Sequence, residues 1–224
     1  MMVALVLLVA HADPALSFGD GACGRLTGGV ALPCAGPNFE AATSLTCKLG
    51  RHHLHPRVRD TLVDAWAALA VTHPRRRWQY GEMGWLKGGK FRPHHTHQAG
   101  RSADFFFPAV DAAGAPTTLD ANPANLFGYN LHFHTDGRLG EDAFDGAALA
   151  DHLLALEAAG RARGVRIRLI IMDAPFRERA LAARPALRAL QERFSRKPVW
   201  IAHDQHYHVE FDLPAQLRRP LRCR

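Results

Sequence analysis

Near its C-terminus the chain reads His203-Asp204-Gln205-His206-Tyr207-His208, followed by Val209-Glu210-Phe211. Val199-Trp200-Ile201-Ala202 precedes it, and the β-branched and aromatic content on both sides reads as a strand. Strand side chains alternate between faces, so His206 and His208 point the same way. A fold that buries this strand must leave one of its faces polar, with two imidazoles reaching a single small site.

A second motif supplies partners for that site. In His97-Gln98-Ala99-Gly100-Arg101-Ser102-Ala103-Asp104, a helix would hold His97 and Asp104 about 10 Å apart, too far for one ion. Gly100 instead suggests a turn that folds the segment back. Asp104 then opens the run Asp104-Phe105-Phe106-Phe107-Pro108, which reads as a buried strand ended by proline. Two imidazoles and one carboxylate leave a coordination position open, which describes a catalytic zinc site; a structural one closes with four ligands. No Ser-x-x-Lys, Gly-x-Ser-x-Gly, His-Glu-x-x-His, Walker loop or Cys-x-x-Cys occurs, so serine acylation lacks support.

At these residues the chain resembles the penicillin-insensitive murein endopeptidases, relatives of the D-alanyl-D-alanine dipeptidases and carboxypeptidases. The pattern His-x-x-Gly-x-x-x-Asp belongs to the wider group. Pro93-His94-His95-Thr96-His97-Gln98-Ala99-Gly100, the terminal His203–Val209 string and Gly81-Glu82-Met83-Gly84-Trp85-Leu86-Lys87-Gly88-Gly89 resemble the endopeptidase branch. The likeness runs from about Gly24 to Phe211. It implies Zn2+ held by His97, Asp104 and His208, with His206 as base or transition-state group and His203 and His94 as further catalytic histidines. The dipeptidase branch carries glutamate where this chain has Gln205, which cannot act as a base. That departure favours an endopeptidase cutting peptide crosslinks of peptidoglycan, of the D-alanyl-diaminopimelate type. The alternatives are a carboxypeptidase or dipeptidase on the same fold, and a wall-binding protein without activity.

Val3–Ala10 forms a short apolar core and Ala10-His11-Ala12 has the small-x-small cleavage form, so residues 1–12 read as a signal peptide. Only Met1 and Met2 precede that core, so its positive flank is missing. Residues 13–224 then form one domain, exported to the periplasm, with no stretch long enough to span a bilayer. Four cysteines in an exported chain suggest disulfides, with three pairings open; Cys23–Cys223 and Cys34–Cys47 are favoured. The net charge of +7 suits an anionic polymer, and no motif supports nucleic acid. Arg75-Arg76-Arg77 is the best candidate for a binding patch, although Trp78 and Tyr80 lead it into a strand. A homodimer stays open.

The patterns predict loop over Gly21–Pro37, helix over Val58–Ala70, strand over Arg77–Met83 and a Gly-rich loop over Gly84–Pro93. They also predict a strand over Asn130–His134, where His132 and His134 lie at the surface and are not ligands. Further on come a helix over Gly146–Arg163 stopped by Gly164, a buried strand over Val165–Met172, and a helix over Arg177–Phe194 that Pro185 splits or kinks. His52, His53 and His55 read as ordinary surface residues, while Glu82 is placed either to orient a ligand histidine or to sit in water. Strands and helices do not alternate regularly, so the expected class is α+β. It combines a mainly antiparallel sheet, flanking helices and a zinc cleft on the sheet face.

Overall fold

A five-stranded sheet divides the protein into an apolar side and a polar side. The computed structural model describes residues 15–197 and 201–223. The sheet's strands are β1 (Phe39–Ala41), β2 (Trp78–Tyr80), β3 (Ser102–Phe106), β4 (Arg166–Ile171) and β5 (His206–Asp212), in spatial order β4-β5-β3-β2-β1. Only β1 and β2 run parallel; the other neighbours are antiparallel. Smaller sheets of three, four and two strands surround it. The α+β class with a mainly antiparallel sheet is therefore observed.

Register decides which residues meet. Across β3 and β5, Asp104 pairs with His208 and Phe106 with His206, while Phe105 pairs with Tyr207 and Ala103 with Val209. Because side chains alternate, the second set faces the helices and the first faces the cleft. On the helix side, α2 (Pro56–Thr72) and α3 (Gly146–Ala162) pack against each other. Trp66 of α2 meets Phe105 edge-on with ring centroids 6.1 Å apart. Each fully buried aromatic of this kind is worth about 1.5–3 kcal/mol of apolar transfer.

Local chemistry explains the helix ends. Pro56 occupies the first turn of α2, and the His55 imidazole accepts from Arg57 N at 3.2 Å. The buried set Val58, Thr61, Leu62, Ala65, Trp66 and Leu69 recurs at helical spacing. Asp145 caps α3 through Ala148 N, and Gly164, at φ +70°, ends that region as expected. A proline also ends α4 (Ala174–Ala183): Pro185 opens a separate 3-10 segment, Pro185–Arg193. Ahead of these lies the short helix α1 (Ser44–Lys48).

Several expectations need correction. Gly21–Pro37 is not simply loop, since Gly24–Thr27 and Val30–Ala31 are strands. Asn130–His134 is not a strand; it follows a turn as irregular chain, with Phe133 buried among Phe107 and Phe176 and Leu131 packed partly against the core. Asp104 lies in the middle of β3, not at its start. His55 is 2% exposed, so it is no surface residue. Nor do the three arginines form a patch: Arg76 is buried on Asp145 and the Ala109 carbonyl, and Arg77 pairs with Glu40. Ile201 and Ala202 are not in a strand, and the signal segment 1–12 and Val199-Trp200 lie outside the described residues.

Both favoured disulfides are present. Cys23–Cys223, with Cα atoms 6.1 Å apart, ties the strand Gly24–Thr27 region to the C-terminal segment, and Cys34–Cys47 anchors α1. Among the described residues no helix is long and apolar enough to cross a membrane.

Candidate active site

The loop between β2 and β3 carries His94 and His97 to the polar face of the sheet. Gly100, at φ +69°, makes the return turn. His97 itself sits at φ +68°, a left-handed conformation that costs a non-glycine residue about 1–2 kcal/mol. Gly84 permits the close pass beneath it, because a Cβ there would stand 2.8 Å from the His97 carbonyl oxygen.

Four side chains converge. His97 is fully buried and its Nδ1 donates to the Met83 carbonyl at 2.7 Å. That bond fixes the tautomer and turns the Nε2 lone pair toward Asp104 Oδ1, 3.2 Å away. His208 Nδ1 lies 2.8 Å from the same oxygen. His94 Nδ1 is 3.9 Å from Asp104 Oδ2. Ligand atoms of His94, His97 and Asp104 all lie within 4.8 Å of one another. His97 Nε2, Asp104 Oδ2 and His208 Nε2 are buried without a hydrogen-bond partner. Two acceptors facing each other in a dry site call for a proton or a metal cation between them. The donor set and its orphaned atoms therefore fit a divalent metal. Another gathering, Cys34, Cys47 and His52, offers no thiolates because its sulfurs are bonded to each other.

Electrostatics follow from burial and these neighbours. Desolvation pushes the Asp104 carboxyl up, but His97 and His208 together hold it well below the usual carboxylate range. Burial drives His206 down to about 3, so it is neutral, and its Nδ1 has no partner. The ring of His203 stands 4.6 Å from that of His206, and its Nδ1 donates to the Ile201 carbonyl at 2.9 Å. Glu82 does bind a site histidine: its Oε2 meets His94 Nε2 at 2.6 Å and Arg51 Nη2 at 2.6 Å. Burial opposes its charge, yet His94 and Arg51 keep its carboxyl low.

These groups floor a cleft of about 990 Å³. One wall is α1 with Thr43, Leu45 and Thr46; another carries Leu126, Phe127 and Tyr129; His203 and Lys197 lie on a third. His132 sits at the rim, 3.0 Å from Asp204, and His134 is exposed outside the cleft, so neither joins the metal cluster. All six candidate site residues, His94, His97, Asp104, His203, His206 and His208, thus come together. Motif reading missed Arg51 and Tyr129, which enter from distant segments without any local pattern.

A profile of the penicillin-insensitive murein endopeptidases matches residues 17–220. The chain belongs to that family. The endopeptidase is accordingly a peptidoglycan hydrolase, and the match spans both histidine motifs. None of the curated proteins compared with this endopeptidase matches it. The two disulfides of the endopeptidase accord with export, since such bonds persist in oxidising compartments.

Proposed function

We propose that the chain is a zinc-dependent endopeptidase that hydrolyses D-alanyl-diaminopimelate crosslinks of peptidoglycan in the periplasm, as one domain over residues 13–224. The carrying observation is the buried pair of acceptors, His97 Nε2 and Asp104 Oδ1, 3.2 Å apart with His208 Nδ1 beside them. His97, Asp104 and His208 are assigned as ligands. His94, tied to Glu82, is assigned to the open side where substrate enters. Two imidazoles and one carboxylate suit zinc. When bound, the ion supplies Lewis-acid polarisation of the scissile carbonyl and a water ionised near neutral pH.

The remaining chemistry belongs to side chains. His206, whose Nδ1 is free of any hydrogen-bond partner, accepts the proton of the attacking water. The proton must then reach the leaving amine, and His203 is the adjacent group assigned to deliver it. Asp104 and Glu82 stay ionised throughout, balancing the positive charge around them. No serine is acylated, so a β-lactam has nothing to trap.

The test is incubation with purified crosslinked muropeptide dimers, with and without chelator, with products resolved by mass. Conversion of dimers to monomers, stopped by chelation and restored by zinc, is expected. Release of terminal D-alanine from intact dimers would replace this reading with a carboxypeptidase.

A further inference from the structure

Leu126, Phe127 and Gly128 have φ of 49°, 58° and 95°, three left-handed residues in succession. Two are bulky, and such strain persists only where surroundings over-determine it. Asn125 Oδ1 accepts from Asn122 N at 3.0 Å and Gly128 N at 2.8 Å, clamping the turn from both ends. At Gly128 a Cβ would lie 2.5 Å from the Phe106 ring, so the turn presses directly on β3. Gln205, next to His206, donates to the Tyr129 carbonyl at 3.0 Å.

What this turn delivers is Tyr129. Its ring centroid stands 5.3 Å from that of His206 and 6.1 Å from that of His94. Its Oη is buried without a hydrogen-bond partner. A Cβ on Gly81 would lie 3.2 Å from this Oη and 3.4 Å from Asp104 Cβ, so the hydroxyl and the candidate ligand both border Gly81. Around it, His97 Nε2 and Asp104 Oδ2 offer lone pairs, whereas the phenol brings a proton. Burial disfavours the phenolate and raises its pKa above the ordinary value, so it stays protonated.

We propose that Tyr129 is a catalytic residue, its O–H donating a hydrogen bond to the scissile carbonyl oxygen as that oxygen gains negative charge. The inference rests on the endopeptidase reading above. Water adds to the carbonyl carbon, the π pair moves onto oxygen, and Tyr129 stabilises that oxyanion while keeping its proton. Collapse restores the C=O and breaks the C–N bond. The amine leaves with the proton that His206 took from water. A donor fixed in advance needs no reorganisation, which is where such groups lower barriers most.

Tyr129→Phe removes one buried oxygen and keeps the ring. On crosslinked dimers we expect kcat to fall roughly 10²–10³-fold with KM within about threefold, and zinc content unchanged. Calorimetry with a phosphinate analogue of the crosslink, a tetrahedral mimic, should show at least roughly tenfold weaker binding, with product peptides binding as before. Wild-type kcat and wild-type phosphinate affinity in Y129F would overturn the assignment, as would loss of zinc or of the fold. Wild-type protein that leaves dimers intact would sink the endopeptidase reading. Wild-type protein that cuts them beside an equally fast Y129F would sink the Tyr129 role alone.

Discussion

His152 sits in the core behind β5 and should make the protein acid-sensitive. It is 1% exposed, its ring lies 4.8 Å from Trp78 and 6.1 Å from Trp66, and it is hydrogen-bonded to the Tyr207 hydroxyl between His206 and His208. Burial lowers its pKa from 6.5 to about 3. The sign follows: the folded-state value is depressed, so the stabilisation is complete above 6.5 and is lost as pH falls toward 3. Over the two units from 6.5 down to about 4.5, the unfolded state gains up to one proton that the folded state refuses. At about 1.4 kcal/mol per unit, that amounts to up to about 2.7 kcal/mol. His152→Gln keeps a hydrogen-bonding group for Tyr207 and removes the titration. Urea unfolding of both proteins at pH 7, 6, 5 and 4.5 should show the difference between them shrinking by about 2–3 kcal/mol in acid. Parallel curves would refute the argument, because they would mean that His152 accepts a proton in the folded state.

Other perturbations read different parts of the structure. Replacing Cys34 and Cys47, 13 residues apart, should cost about 3 kcal/mol, and replacing Cys23 and Cys223, 200 apart, about 5, both measured by urea midpoint. Arg51→Ala leaves the half-buried Glu82 carboxylate with His94 as its remaining partner, and thermal melts should register a loss of about 1.5–3 kcal/mol. Gly84→Ala drives a methyl to within 2.8 Å of the His97 carbonyl, and steady-state kinetics should show roughly a hundredfold loss for a displacement near 1 Å.

Much of the site was readable because period-two alternation is a strong signal. It put His206 and His208 on one face, and β5 shows them there, paired with Phe106 and Asp104. Gly100 marked the return turn and Pro185 the helix break, since both residues restrict or free φ directly. The same alternation misled at Asn130–His134, where a single buried phenylalanine imitates a strand. The strand Gly24–Thr27 alternates over only four residues and Val30–Ala31 spans two, too little to stand out among glycines and prolines. His55 was misplaced because capping by histidine has no distinctive pattern. Tyr129 and Arg51 depend on contacts across the chain, and Tyr129 on left-handed Leu126 and Phe127, residue types that avoid that conformation.

The central claim is that His97, Asp104 and His208 hold the metal while His94 faces substrate. Its most direct test is metal content per chain, by elemental analysis, for the purified wild type, His208→Ala and His94→Ala, with dimer cleavage measured on the same samples. About one zinc is expected in the wild type and in H94A, and little in H208A, with both variants slow. Zinc retained by H208A but lost from H94A would contradict the ligand assignment. An active wild type free of metal would contradict the mechanism itself.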